Sequence, residues 1–291
     1  MKGIAPWIQA HWDWRAAGNF ICGGTGSGLL LFAAMGTLYG VPLEPLVLPA
    51  IFLVCAGLSL VWLELGRPWR FINVFFHPHT SWMTREALVA GPLVALGAAA
   101  FWFGRADLAL TAALFGLIFL YCQARMLQAA KGIPAWREPL SILLLVITGL
   151  AEGQGLFLVL AATMPGIGSR MAAIGVPSLM VLITLRMWVW SSYRHKLEAG
   201  GAPVEARKVL VEMNSWFIFW GHVFPVILIG FGLLFPPGAG YLYLLAGIFV
   251  LIGGWYAKFS IVTRVAYNQG FAISRTPSRG GASGPGVAPG W

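Results

Sequence analysis

Long apolar runs separated by short polar segments dominate the chain. Each run has close to the ~20 residues that a helix needs to cross the ~30 Å hydrocarbon core of a bilayer. The runs are continuous instead of alternating, which argues against a β-barrel. The pattern predicts an all-α integral membrane protein with eight transmembrane helices, at 17–40, 45–64, 86–103, 107–127, 139–163, 172–194, 215–236 and 240–263.

A short repeated motif predicts how these helices are grouped. Trp82 followed by Arg85-Glu86 opens the third run, and Trp136 followed by Arg137-Glu138 opens the fifth. This repeated motif predicts two four-helix bundles. We expect one anchor domain at 1–270, followed by a tail at 271–291 that is disordered or draped over a partner, because the tail is rich in Gly, Pro and Ser.

Composition and charge agree with a membrane protein. Of 291 residues, 58% are hydrophobic and only 10% are charged, whereas a soluble domain carries about 25% charged residues. We expect no cleavable signal peptide, because the first apolar run starts late and has no typical cleavage site. Of the 19 Lys and Arg residues, the predicted topology places seventeen on the side of the termini and two, Arg105 and Arg170, on the other.

The positive-inside rule therefore predicts that both termini lie in the cytoplasm. The net charge of +9 describes one membrane face and does not require nucleic-acid binding. Cys22, Cys55 and Cys122 lie within apolar runs at unrelated spacing. Without a C-x-x-C pair, we expect no iron–sulfur cluster and no zinc in this chain.

The first helix is unusually rich in small residues, in the segment GNFICGGTGSG. It lies inside an apolar run with no preceding strand, so a nucleotide-binding interpretation fails. Small residues at this density allow helices in lipid to approach closely. We expect helix packing here, and the wall of a pocket is the alternative.

Charges of both signs gather between the second and third runs, in LELGRPWRFINVFFHPHTSWMTREAL. Glu64 ends the second helix and Glu86 begins the third, so both lie at the same membrane face. A carboxylate in the first turn of a helix also suits the helix dipole. Between them are Arg67, Arg70 and Arg85.

These residue types match what a quinone site needs. A carboxylate beside lipid can exchange protons, an arginine can donate hydrogen bonds to a carbonyl oxygen, and apolar walls accept a flat ring. The alternative is a set of interfacial ion pairs that anchor helix ends, with Trp69 and Trp82 in the aromatic belt. From the residues alone, the two interpretations are equally supported.

The segments LELGRPWRF, SWMTRE and WDWRAAGNFICGGTGSG, together with eight predicted spans, resemble the NrfD/DmsC-type membrane anchors. These are the quinone-reactive subunits of molybdenum or tungsten oxidoreductases of the dimethyl sulfoxide and polysulfide reductase kind. The resemblance covers the chain to about residue 270. It implies a membrane anchor that exchanges electrons and protons between an iron–sulfur partner and ubiquinone or menaquinone, with no haem of its own.

The same resemblance implies two partners and a set of site residues. The partners are a ferredoxin-like subunit with four iron–sulfur clusters and a catalytic subunit with a molybdenum or tungsten pterin. Glu64, Arg70 and Glu86 match quinol-site positions, although some members of the family have His in place of Glu64. The expected pocket residues are, in addition, Asn19, His11, Arg67, Trp82 and Arg85.

The predicted orientation places the catalytic partner in the cytoplasm, at the inner membrane of a bacterium or archaeon. A coenzyme-A thioester is then a candidate substrate, since phenylacetyl-CoA:acceptor oxidoreductases have an anchor of this type. Glu152, deep in the fifth run, is a candidate for proton transfer or for pairing with Arg186, and pairing is the preferred interpretation.

Two other functions fit the apolar composition. A secondary transporter would have interrupted helices and a polar site near the bilayer midplane. A haem-b quinol dehydrogenase anchor would need two histidines at matching depth, and His195 with His222 is the only pair to test.

Overall fold

The computed structural model describes residues 5–64, 67–164, 166–236 and 238–270, and it describes only the backbone at 68 and 168–174. The predicted tail at 271–291 lies outside the described residues. Within this part of the chain the regular structure is helical, apart from one isolated bridge between Ile8 and Tyr267. The α-helices are α1 Trp14–Thr37, α2 Glu44–Glu64, α3 Trp82–Phe103, α4 Ala106–Gln128, α5 Pro134–Arg137, α6 Leu140–Ala162, α7 Gly168–Ala199, α8 Val204–Ile218, α9 Phe224–Leu234 and α10 Ala239–Thr263.

Two further helical segments interrupt this series. A 3-10 helix, Pro68–Phe76, joins α2 to α3. A π-helical turn, Phe219–Val223, joins α8 to α9, so that Val204–Leu234 is one continuous helix. In the described residues, seven helices are long and apolar enough to cross a membrane: α1, α2, α3, α4, α6, Val204–Leu234 and α10.

Seven of the eight predicted spans therefore correspond to helices that are long and apolar enough to cross a membrane. The remaining predicted span, 172–194, falls within α7, which has 32 residues. This helix carries Arg186, Arg194 and Lys196, and it is not among the seven. The third and fourth predicted spans form a hairpin, because Gly104 ends α3 in the left-handed conformation (φ 62°) and α4 begins at Ala106.

The connection that the predicted spans leave at 195–214 is largely helical, because α7 continues to Ala199 and α8 begins at Val204. The buried residues of α8 recur every three or four positions, at Ala206, Leu210, Met213 and Phe217. This helical spacing gives α8 an apolar stripe, which is buried in the fold although α8 also carries charged residues.

The start of α3 also differs from the prediction. The helix begins at Trp82, where the Ser81 side chain accepts a hydrogen bond from the Thr84 backbone N–H. Glu86 therefore lies one turn further into the helix than expected. The influence of the helix dipole falls off within the first turn, so a different contact must stabilise the Glu86 carboxyl.

Helix α1 lies at the centre of the fold and packs against α2, α4, α6 and α10. Asp13 caps its N-terminus by accepting from the Arg15 backbone N–H at 2.8 Å, and the Arg15 guanidinium beside it lowers the Asp13 pKa. Gly28 of α1 faces Gly149 and Gly153 of α6. A Cβ on Gly153 would collide with the backbone of Gly28 and Leu29. The glycines of α1 therefore serve close packing, as predicted.

The Gly28–Gly153 crossing gives a first prediction. Gly153→Ala places a methyl group against backbone that cannot move aside, and overpacking of this kind costs about 1–3 kcal/mol. We expect a lower melting temperature of the detergent-solubilised protein. Gly230→Ala is the matched control, because a Cβ there meets nothing within 4 Å. Equal melting temperatures for the two variants would contradict this packing.

Candidate functional site

A cavity of about 900 Å³ lies between α2, α3 and the 3-10 helix, with one residue of α1 in its wall. It forms because α2 packs mainly on α1 whereas α3 packs mainly on α4, which leaves a gap between α2 and α3. Small-molecule sites in proteins have similar volumes and mostly apolar walls with a few polar groups. Of the 17 residues in the wall, five are polar: Asn19, Ser59, Arg70, Asn73 and Glu86.

A buried carboxyl–amide pair forms one part of this wall. Glu86 is 4% exposed and Asn19 is 1% exposed. Asn19 Nδ2 donates to Glu86 Oε1 at 3.1 Å, so the Asn19 amide holds the carboxyl that the helix dipole reaches only weakly. Gln123 Nε2 of α4 donates to the Asn19 backbone carbonyl at 3.0 Å. The pair is thereby fixed between α1, α3 and α4.

The 3-10 helix covers the cavity. Five of its residues line the wall, including Arg70 and Asn73, whose spacing of three places them on the same face of such a helix. Arg70 is also exposed to solvent, and Trp69 and Ile72, which are 72% and 54% exposed, are not in the wall. Arg70 has no carboxylate at ion-pair distance among the described residues. Its guanidinium is thus available to a ligand in the cavity.

Other residues predicted from the sequence lie outside the cavity wall. Glu64 is half-buried at the end of α2, Arg67 is exposed at the start of the 3-10 helix, and His11 is exposed in the N-terminal segment. None of the three lines the cavity. Arg67 contributes a backbone carbonyl, which accepts a hydrogen bond from the Arg70 backbone N–H at 3.0 Å. The structure thus brings together Asn19, Arg70 and Glu86.

Trp82 and Arg85 form a separate cluster next to the cavity. The Arg85 guanidinium carbon lies 4.1 Å from the centre of the Trp82 ring, and that of Arg125 lies 4.7 Å from it. Arg85 also donates to the carbonyls of Pro78 and His79 at 2.7 and 2.8 Å. These contacts fix the loop before α3. Neither Trp82 nor Arg85 lines the cavity.

A second polar cluster lies on another side of α1. Lys258 Nζ of α10 forms an ion pair with Glu152 Oε2 of α6 at 2.7 Å, and both side chains are at most 1% exposed. The Thr25 hydroxyl lies 2.9 Å from the same carboxyl oxygen. Trp255 Nε1 donates to the Thr25 hydroxyl at 3.0 Å. Glu152 is therefore paired within the fold, as preferred from the sequence, but its partner is Lys258.

Arg186, the partner expected for Glu152, has different contacts. Its Nε donates to His222 Nε2 at 3.1 Å, and its other nitrogens donate to the backbone carbonyls of Gly221 and Val250. Because an arginine only donates, His222 Nε2 accepts and its Nδ1–H donates to the Phe217 carbonyl at 3.0 Å. Both ring nitrogens of His222 are thus engaged. Among the described residues, no three His, Cys, Asp or Glu side chains form a candidate metal site.

Sequence reasoning missed Gln123 and Lys258. Lys258 was counted with the cations of the terminus side, although it lies within the last apolar run at 240–263. A charged residue inside a span is rare and needs a partner, and that rule would have connected Lys258 with Glu152. Gln123 lies near the end of the predicted fourth run at 107–127, and only the folded structure shows that it contacts α1.

Comparison with known proteins gives one informative similarity. No family model matches the chain. The chain is 30% identical to a sulfite dehydrogenase subunit from Allochromatium vinosum, over 50% of this chain and 53% of that protein. It therefore spans about half the length of the curated relative it matches. The chain is thus similar over this part to a subunit of an oxidoreductase.

The ion pair between Lys258 and Glu152 gives a second prediction. Lys258→Met leaves a buried carboxylate without its cation, and breaking a buried pair in this way costs about 3–5 kcal/mol. We expect the double variant Lys258→Met with Glu152→Gln to recover most of this loss, because neither charge remains. Melting temperatures of the wild type, the two single variants and the double variant show whether the losses of the two single variants add up in the double variant. Additive losses would contradict a direct pair.

Proposed function

We propose that this chain is the membrane subunit of an oxidoreductase complex, and that it exchanges electrons and protons between a partner subunit and a membrane quinone in the cavity between α2, α3 and the 3-10 helix. One observation carries the proposal: the wall of an apolar cavity contains both a buried carboxyl and a guanidinium that has no carboxylate partner in the described part of the chain. A resemblance to quinone-reactive anchors, and a relative that belongs to a dehydrogenase, support it.

The residues of the cavity fit a quinone. Twelve of the 17 wall residues are apolar, so a flat ring and an isoprenoid chain can replace lipid there without loss of hydrogen bonds. Arg70 supplies donors for a carbonyl oxygen, and arginine keeps its charge at any physiological pH. When bound, quinone supplies two-electron, two-proton redox chemistry at its carbonyl oxygens. We propose the same cavity for ubiquinone or menaquinone.

Glu86 is the proposed proton carrier. Its Oε1 accepts from the Asn19 amide, which fixes the carboxyl within the cavity wall. A positioned carboxyl that holds or releases a proton next to a reacting oxygen is a general acid–base catalyst. Glu64 lies outside the wall, at the same membrane face as the cavity, and we propose that it exchanges protons with solvent.

The proposed partners bind on the face that contains the chain termini. There the N-terminal segment pairs with the residues after α10, since Gln9 N donates to the Ala266 carbonyl at 2.9 Å and Asn268 N donates to the Trp7 carbonyl at 3.0 Å. We propose an iron–sulfur protein on this face and a molybdenum or tungsten pterin protein beyond it. Electrons would then enter or leave near the cavity.

The orientation and the number of spans belong to the same proposal. Removing the buried residues Arg186 and Lys258 from the seventeen cations of the terminus side leaves fifteen against two. This bias still favours cytoplasmic termini. We propose that α7 is the eighth span, because its 32 residues exceed the length that a bilayer requires, and that the eight helices form two four-helix bundles.

The substrate would bind to the catalytic partner and not to this chain. The relative from Allochromatium vinosum is named for sulfite. We therefore propose sulfite as a candidate substrate of the partner, alongside the coenzyme-A thioester. Substrate oxidation would reduce quinone in this cavity, and a reductase partner would reverse that direction.

Neither rival function gains support from these contacts. A haem iron at His222 would require a free ring nitrogen, but both nitrogens are hydrogen-bonded to Arg186 and Phe217. A transporter site near the midplane would offer polar groups to a substrate. Glu152 and Lys258 instead satisfy each other.

The third prediction concerns binding. Arg70→Ala removes a charged donor from the cavity wall, and such hydrogen bonds contribute about 1.5–3 kcal/mol. We expect the affinity of the purified complex for a quinone analogue to fall about 10- to 100-fold. Arg67→Ala removes the same charge from the start of the same helix but outside the wall, and we expect less effect from it.

Binding of the labelled analogue, measured by titration, checks this difference. An equal loss in both variants would indicate that long-range charge attracts the analogue. An unchanged affinity in Arg70→Ala would place the quinone elsewhere.

The fourth prediction concerns turnover. Glu86→Gln keeps the size and most of the hydrogen bonds of the side chain but cannot release a carboxyl proton. We expect quinone-dependent turnover of the complex to fall about 100-fold or more, which is typical for the loss of a general acid–base group. Analogue affinity should remain close to that of the wild type. Wild-type turnover in Glu86→Gln would exclude Glu86 as the proton carrier.

A further inference from the structure

Two side chains from different helices donate to adjacent backbone carbonyls of α1. Gln123 Nε2 of α4 binds the Asn19 carbonyl at 3.0 Å, and Lys258 Nζ of α10 binds the Phe20 carbonyl at 2.9 Å. Consecutive residues of an α-helix point about 100° apart around its axis. The two donors therefore hold the same turn of α1 from two different sides.

Two adjacent glycines make room for these donors. A Cβ on Gly23 would lie 2.5 Å from Gln123 Nε2, and a Cβ on Gly24 would collide with Lys258 Nζ. Each glycine is four residues after the carbonyl that its donor contacts, so it lies one turn further along the same side of the helix. Any larger residue would push the donor away from α1.

We propose that Lys258 is a positioning residue for the cavity, holding α1 at the rotation about its axis that places the Asn19 amide against Glu86. This inference rests on the proposed function of the cavity. Lys258 does not line the cavity and acts through α1. Glu152 completes the arrangement, because it binds both Lys258 Nζ and the Thr25 hydroxyl, one turn further along α1.

A small rotation of α1 is enough to separate the Asn19 amide from Glu86. Side-chain atoms lie about 5–6 Å from a helix axis, so a rotation of about 10° displaces the Asn19 amide by about 1 Å. The Asn19–Glu86 hydrogen bond is already 3.1 Å long, and such a displacement would break it. Misplacement of a catalytic group by about 1 Å can reduce a rate about 100-fold. The apolar wall, formed mainly by α2, α3 and the 3-10 helix, would be unchanged.

Two variants test the proposal in the purified complex. The double variant Lys258→Met with Glu152→Gln removes the contact with Phe20 without leaving a buried charge. Gly24→Ala retains every charged group and displaces only the lysine tip, so it tests the same contact if the double variant does not assemble. Gln154→Leu is the matched control, since it removes a buried hydrogen bond of 2.9 Å to the Gly175 carbonyl of α7 and removes no hydrogen bond to α1.

The measurement is kcat and KM with a short-chain ubiquinone analogue. We expect both test variants to lose about tenfold or more in kcat while KM stays within about twofold, because binding depends on the unchanged apolar wall. The control should retain wild-type kcat. The infrared band of the Glu86 carboxyl, identified by its loss in Glu86→Gln, should shift in the test variants and not in the control.

The outcomes separate this inference from the proposed function. Wild-type kcat in the test variants, with Glu86→Gln inactive, would overturn the role of Lys258 and leave the cavity as the quinone site. Equal losses of kcat in the test variants and in Gln154→Leu would indicate that Lys258 contributes only to the general stability of the fold. This result would also overturn the inference. Full activity in Glu86→Gln would overturn the proton-carrier role of Glu86 in the proposed function, and with it the reason for holding Asn19 against Glu86.

Discussion

The close approach of α1 to its neighbours is the constraint on which the rest of the structure depends. Within the membrane, no hydrophobic effect drives helices together, so contacts between small residues and buried hydrogen bonds must do so. Gly28 of α1 meets Gly153 of α6 backbone to backbone. This crossing places α1 at the centre, where most of its surface is buried, whereas α2 and α3 leave most of theirs exposed.

Because α1 lies at the centre, it separates two polar clusters, one in the wall of the cavity and one outside it. On one side, Asn19 binds the Glu86 carboxyl in the wall of a cavity that reaches α2, α3 and the 3-10 helix. On another side, Glu152 and Lys258 neutralise each other without lining that cavity. The first arrangement lies in the wall of the cavity, and the second connects α6 with α10. The two meet at adjacent carbonyls of α1.

Much of this fold could be predicted from hydrophobic runs, because a bilayer fixes the length of a spanning helix. The helix in the polar segment 195–214 was not predicted, since the burial of Leu210 and Met213 depends on a helical periodicity that its charges obscure. Glu86, Arg70 and Asn19 could be proposed as site residues from sequence and resemblance. The rule that a charge inside a span needs a partner could connect Lys258 with Glu152. It could not predict the contacts of Lys258 and Glu152 with α1, which form only in the folded chain.

The quinone assignment is tested most directly by a structure of the purified complex with a bound quinone analogue, determined by electron cryo-microscopy. We expect density for the analogue between α2, α3 and the 3-10 helix, with its carbonyl oxygen within hydrogen-bond distance of Arg70 and close to Glu86. Density for the analogue elsewhere, with the cavity holding only lipid, would contradict the assignment.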